Sequence, residues 1–337
     1  MKRYLVVFFI GLSVLTVNAC KTGQIKAQEI TYEIVSEEIT VGKGSEWELG
    51  GLLTLPKNAK GKIPAVVLVH GSGPQDMDET VLNNKPFKDI AEYLASHGIA
   101  VLRYNKRTFI YPTKIVENFR DFTINEETID DALLAANLLR NDSRIDSEKI
   151  FILGHSLGGM TAPRIDVEGG NFAGIIILAG SPRRFADIWH DQALDSIKTL
   201  SENDKIIGQA QIEEIMGYFD SFANMTNEEA KDYTLLGATG YYWKDLDSYP
   251  SNEYLINTNK PVLIMQGEKD FQVFADRDYT QYQTLLGGKA NITFKLYPEL
   301  NHLFMTSTTG TIDEYSISDH VNSVVLNDIV DWITARN

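Results

Sequence analysis

One stretch of ten residues constrains this chain more than any other. Residues 150–159 read Ile-Phe-Ile-Leu-Gly-His-Ser-Leu-Gly-Gly. An unbroken apolar run leads into a turn centred on Ser156, and small residues open the next segment. Such a run marks a strand buried on both faces, as in a parallel sheet. Gly154 and Gly158 flank the turn and let the backbone pass from strand to helix without a Cβ clash. That holds the serine side chain at the strand's C-terminal edge, beside a helix N-terminus. Ser156 is therefore the candidate nucleophile.

The remaining chain is patterned to match. Residues 65–69, 99–103, 149–153, 173–178, 261–266 and 291–297 are short, mostly apolar strand candidates, and helical periodicity covers 87–96 and 125–140. In the second helix Ile129, Leu133, Leu134, Ala136 and Leu138 recur at helical spacing. Strands alternating with helices predict an α/β fold with a parallel sheet of right-handed crossovers. Ahead of them, residues 31–41 and 46–55 alternate in the strand manner around Gly42-Lys43-Gly44, which predicts a hairpin. Residues 183–259 break the rhythm. They lack a buried-strand pattern, carry amphipathic helical segments near 191–200 and 206–222, and hold Trp189, Tyr218, Phe219, Phe222, Tyr241, Tyr242 and Trp243. We expect an inserted helical cap over the C-terminal edge of the sheet, where α/β folds bind ligands.

Composition excludes several function classes. With 31 Lys+Arg against 46 Asp+Glu the formal charge is −15, opposite to what a phosphate backbone needs, so nucleic acid is not an expected partner. The single cysteine, Cys20, permits neither an intramolecular disulfide nor a cysteine zinc site. No HExxH, phosphate-binding GxxxxGK[ST] or EF-hand loop is present. Residues 1–19 have a charged start at Lys2-Arg3, an apolar run too short to span a bilayer, and then Val17-Asn18-Ala19-Cys20. This looks like a bacterial lipoprotein signal peptide, with Cys20 as the site of lipid attachment and residues 20–28 as a tether. The implied localisation is extracytoplasmic, periplasmic or cell-surface, with a lipid anchor as the membrane attachment.

GHSLGG in its strand–turn–helix setting resembles the α/β-hydrolase superfamily, and the order of elements agrees over nearly all of residues 31–337. The closest resemblance is to bacterial hydrolases with serine aminopeptidase-like or dienelactone hydrolase-like domains. Those proteins also carry an HGSGP-type loop, here 70–74, a Y-x-K-R turn, here 104–107, and a GExDxQV acid loop, here 267–273. The resemblance implies an α/β-hydrolase domain over 29–337 with 183–259 as the cap. It implies hydrolysis of an ester, thioester or amide through an acyl-enzyme, without metal or organic cofactor. Such an enzyme needs an acid after a late strand and a histidine after the last. Asp270 and His302 occupy those places, giving the order Ser156, Asp270, His302.

Rivals for these roles are Glu268, Asp276 and Asp278 as the acid and His320 as the base; His155 is expected to support the turn. By family analogy the oxyanion hole would use the backbone N–H of Ser72 and of Leu157, with Gly71 an alternative to Ser72. Arg107 is expected to pair with Asp76 or Asp78 and brace the oxyanion loop, or else to anchor a substrate carboxylate. The function expected is hydrolysis of a small-molecule carboxylic ester. The alternatives are a serine aminopeptidase-type peptidase or amidase, an acyltransferase, and a catalytically dead binding lipoprotein.

Overall fold

The computed structural model describes residues 31–336. The expected signal peptide over 1–19, Cys20 and the expected tether over 20–28 lie outside the described residues. One sheet is built from eight strands: β1 (Ile34–Val41), β2 (Leu49–Pro56), β3 (Ile63–Val69), β4 (Ala100–Tyr104), β5 (Ile145–His155), β6 (Gly174–Leu178), β9 (Val262–Gly267) and β10 (Ile292–Tyr297). Their order across the sheet is β1-β2-β4-β3-β5-β6-β9-β10. Two-residue strands β7 (Thr234–Leu235) and β8 (Ala238–Thr239) pair apart from it. β2 runs antiparallel to both neighbours, and all other pairings in the sheet are parallel.

The apolar runs sit where burial on both faces requires them. Val67, Val69, Ile152, Ile175 and Ile177 pack on one face, and Val66, Leu68, Phe151, Leu153, Ile176 and Leu178 on the other. This is the period of two expected of a strand. Helices Pro86–Ser96 and Ser323–Thr334 cover the second face. On the first, the expected helix over 125–140 begins as a π-turn (Asn125–Ile129) and continues as an α-helix (Asp130–Asn141). Its buried stripe differs from the one expected: Ala132, Ala135, Ala136 and Leu139 face inward, whereas Leu134 and Leu138 are exposed. Small residues on the inner side let the helix lie close to the sheet.

The chain passes from β3 outward to β4 and then back across β3 to β5, so strand order reverses between β3 and β5. In open parallel sheets the crevice at that reversal, beyond the strand C-termini, is where ligands bind. The loops after β3, β5, β9 and β10 all leave the sheet at that edge. Between β6 and β9 the chain forms helices Phe185–Ser196, Glu202–Phe222, Asn227–Ala230, Gly240–Asp247 and Ser251–Asn257.

Candidate active site

Ser156 sits between the last residue of β5 and the first of helix Leu157–Ile165, at φ 53° and ψ −118°. A positive φ is uncommon for a residue with a Cβ and marks a backbone held by its surroundings. The surroundings are tight. A Cβ on Gly154 would lie 2.1 Å from the Gly158 carbonyl oxygen, and one on Gly158 would lie 2.1 Å from that of Val69. Only glycine permits the turn and its close packing against β3.

The loops after β9 and β10 meet beside this turn. A Cβ on Gly267 would lie 2.4 Å from the Leu300 oxygen, so glycine lets the two loops touch. His302 Nδ1 lies 2.7 Å from Asp270 Oδ2, and both residues are buried. Gln266 Nε2 also donates to Asp270 Oδ2, at 2.8 Å, while the N–H groups of Gln272 and Val273 donate to Oδ1 at 2.8 and 2.9 Å. Both carboxylate oxygens thus have two donors, which fixes the rotamer. A carboxylate at Nδ1 places the histidine proton there and leaves Nε2 as the acceptor. The His302 loop is itself pinned: Asn301 Oδ1 accepts from the N–H groups of Leu303 and Met305, and Asn301 Nδ2 donates to Glu314. Glu314 accepts from the N–H groups of Thr308, Thr309 and Gly310. Its burial would raise its carboxyl pKa, but these donors outweigh that and hold it at about 2.

Ser156 and His302 line one cavity of about 330 Å³, together with Gly71, Ser72, Leu157, Gln192, Gln272 and Tyr315. Leu157 N–H is the first of its helix and has no intrahelical acceptor. The N–H of Gly71, the alternative oxyanion donor, is already taken by Glu79 Oε1 at 2.7 Å. Among the described residues, the N–H groups of Ser72 and Leu157 are engaged by no acceptor. A second, more apolar cavity of about 400 Å³ adjoins the first at Ser72, Leu157 and Phe185. It is walled by Phe119, Phe122, Trp189, Tyr242 and Trp243. Several of these rings pack on one another, with Phe185 stacked on Trp243 at 4.9 Å between centroids. Phe219 and Phe222, from the same segment, are buried in the core and line neither cavity.

The other candidates fall elsewhere. Glu268 and Asp276 are exposed. Asp278 is buried but bound by Ser181 and Arg183. His320 is exposed and pairs with Asp89 at 2.9 Å. Arg107 does not reach Asp76 or Asp78. It is buried, forms a two-pronged pair with Asp131 at 3.2 and 2.6 Å, and lines neither the cavity of Ser156 nor the one beside it, so it is not placed to meet a substrate carboxylate. Burial pushes the Asp131 carboxyl up to about 6 despite that partner. Asp78 is bound instead by Arg103 and Lys85, and Asp76 holds its own loop through Thr80. The brace is the neighbouring residue, Lys106. Its buried Nζ donates to the Gly71 oxygen at 2.7 Å and to Glu127 Oε1 at 2.5 Å, and Tyr242 OH donates to Glu127 Oε2 at 2.6 Å. Sequence reasoning missed Glu79, Lys106 and Glu127, because acidic and basic residues in loops and on helices are usually solvated. The one available signal was the position of Lys106 in the turn already singled out.

A mostly parallel eight-stranded sheet with serine after β5, aspartate after β9 and histidine after β10 defines the α/β-hydrolase fold. The comparisons agree. The family model of the prolyl oligopeptidase family matches residues 87–322, and the chain belongs to that family. Esterase EstD of Thermotoga maritima is 36% identical over 290 residues, covering 85% of this chain and 65% of that protein. This chain therefore spans somewhat less than two thirds of the length of that relative. Among solved structures, Est1E from Butyrivibrio proteoclasticus superimposes with a TM-score of 0.54 at 16% identity, over 89% of this chain and 98% of that one. The acylaminoacyl peptidase of Pyrococcus horikoshii gives 0.52 at 18% identity, over 80% of this chain and 38% of that one. At these identities the structural matches speak to fold alone.

Proposed function

We propose that this chain is a serine hydrolase that cleaves small-molecule carboxylic esters through a Ser156 acyl-enzyme. One observation carries the reading. His302, bonded to Asp270 at 2.7 Å, lines the same cavity as a serine held at positive φ on a strand–helix turn. The relationship to a protein named as an esterase supports an ester over an amide. In the first step Ser156 Oγ bonds to the ester carbonyl carbon and its proton passes to His302 Nε2. Asp270 stabilises the imidazolium so formed. The N–H groups of Ser72 and Leu157 donate to the oxygen that becomes negative. Collapse breaks the bond to the alcohol oxygen, which takes the proton from His302. Water then repeats the sequence on the acyl-enzyme, releasing the acid and restoring the serine.

Because His302 must protonate the departing alcohol, the alcohol limb belongs on its side, in the 330 Å³ cavity. The acyl limb then points past Ser72 and Leu157 into the aromatic cavity. The substrate class that fits is an ester with an apolar acyl group of medium size. The test uses protein starting at Lys21 beside its Ser156→Ala variant, with p-nitrophenyl esters of rising acyl length and an aminoacyl p-nitroanilide. Ester turnover that rises and then falls with acyl length, and vanishes in the variant, is the expected result. Turnover of the anilide in preference to every ester would make the enzyme a peptidase. For the N-terminus we propose a lipid anchor on Cys20, supported by the composition of residues 1–20. Full-length protein in the membrane fraction, released by Cys20→Ser, is the outcome expected; a soluble wild type would contradict it.

A further inference from the structure

Behind the oxyanion loop lies a second histidine–carboxylate pair that the acyl-transfer steps do not use. Glu79 and His155 are both buried, and both line the Ser156 cavity. Glu79 stands at φ 52°, a strained setting for a residue with a side chain. Its Oε1 accepts the Gly71 N–H at 2.7 Å, and its Oε2 lies 3.0 Å from His155 Nδ1. The second contact has the distance of an ion pair without the alignment of a hydrogen bond. On the far side of the ring, His155 Nε2 lies 3.0 Å from the main-chain oxygen of His302, and the two imidazoles are 4.7 Å apart.

Proton counting defines the state of this pair. A carbonyl oxygen only accepts, so His155 Nε2 carries a hydrogen. Glu79 Oε2 and His155 Nδ1 stand at ion-pair distance, and the pair forms when Nδ1 also carries a proton. Burial opposes charge on both groups, yet their attraction outweighs it, holding the Glu79 carboxyl below its usual range and raising the His155 imidazole. The pair thus joins three loops. Glu79 holds the amide next to the oxyanion donor Ser72, His155 adjoins the nucleophile in sequence, and its ring holds the backbone of the base.

We propose that Glu79 and His155 are positioning residues that set the Ser72 amide and the His302 ring in register with Ser156. This rests on the ester-hydrolase reading. A displacement of about 1 Å at such a site costs on the order of 100-fold in rate.

The test separates the clamp from simple stability, using kcat and KM of folded protein on the best p-nitrophenyl ester. Glu79→Ala strips the Gly71 N–H of its acceptor and is expected to lower kcat by on the order of 100-fold with KM changed by less than about 3-fold. Glu79→Gln can still accept from Gly71 and donate to a neutral His155, so it is expected to stay within about 10-fold of wild type. His155→Gln can reach the His302 oxygen with its amide nitrogen and His155→Asn cannot, so the glutamine variant should keep the higher kcat. That pair decides the matter if Glu79→Ala does not fold. A kcat within twofold of wild type for folded Glu79→Ala, or equal losses in His155→Gln and His155→Asn, overturns the proposal. Wild-type protein inactive on every ester would instead overturn the function on which it rests.

Discussion

The cavity around Ser156 and His302 is walled mainly by loops that leave the strands of the sheet, with Phe185, Ile188 and Gln192 added from residues 183–259, whereas the cavity beyond Ser72 and Leu157 is closed largely by rings from that segment. The first is held by directional bonds. Asp270 has donors on both oxygens, Asn301 and Glu314 pin the His302 loop, and Glu79 and Lys106 fix the two sides of Gly71. The second is held by ring packing, as between Phe185 and Trp243 or Phe219 and Trp243. Proton transfer and oxyanion stabilisation need groups placed within a fraction of an ångström, which hydrogen bonds to buried polar atoms supply. An acyl chain needs only volume and apolar contact, and packed rings provide that with a tolerance for shape. Besides the walls they share, a polar chain links the two regions, from Gly71 through Lys106 and Glu127 to Tyr242.

The contrast can be broken most sharply on the directional side. Asp270→Asn keeps the shape of the site but presents an amide to His302 Nδ1 and disfavours the required tautomer. We expect kcat to fall by on the order of 10⁴-fold with near-normal folding, read by ester turnover and circular dichroism. Next comes the joint between the regions. Lys106→Met leaves Glu127 buried without its cation, and breaking a buried pair from one side costs about 3–5 kcal/mol. A lower Tm should accompany weakened activity. A matched Lys106→Met, Glu127→Leu double variant should recover part of the stability but not the activity, because Gly71 would still lack its brace.

Substitution on the packing side should act differently. Trp189 lines the aromatic cavity and lies 6.1 Å from the Phe219 ring. Trp189→Ala is expected to shift the preferred acyl length upward, changing the kcat/KM ratio of long to short esters by about 10-fold, with the Ser156 chemistry intact. An equal loss on all esters would show that the aromatic wall is not the acyl site.

The smallest effect concerns acid. Glu314 has a folded-state pKa of about 2, below its unfolded value of about 4.3. Its contribution to stability is therefore present above about pH 4.3 and is lost as pH falls from there toward 2. The Tm difference between wild type and Glu314→Gln should be widest near neutrality and shrink over that acid range. A constant difference would mean that Glu314 does not hold the His302 loop as a carboxylate.

This division also explains what the sequence could reveal. Ser156, Asp270 and His302 stand next to buried apolar strands, whose pattern is strong, so their places at one sheet edge follow from the order of elements. The turn glycines were equally legible, since nothing larger fits there. Glu79 and Lys106 were not, because their buried partners come from other loops and no periodicity marks a buried charge. Arg107 shows the same limit. Sequence places it in the right turn, but only the three-dimensional path of helix Asp130–Asn141 gives it Asp131 instead of Asp76 or Asp78. The aromatic segment was legible as a departure from strand rhythm. Which rings line a cavity and which are core depends on how the helices pack, and the local pattern does not carry that.

The central claim is that Ser156 is an activated nucleophile, and a fluorophosphonate tests it most directly. Protein starting at Lys21 would be treated with the probe and digested, and the modified residue located by mass spectrometry. The account predicts one label per chain, on Ser156, lost in Ser156→Ala and strongly slowed in Asp270→Asn. A folded wild-type protein that takes up no label, or takes it up at another residue, would contradict it.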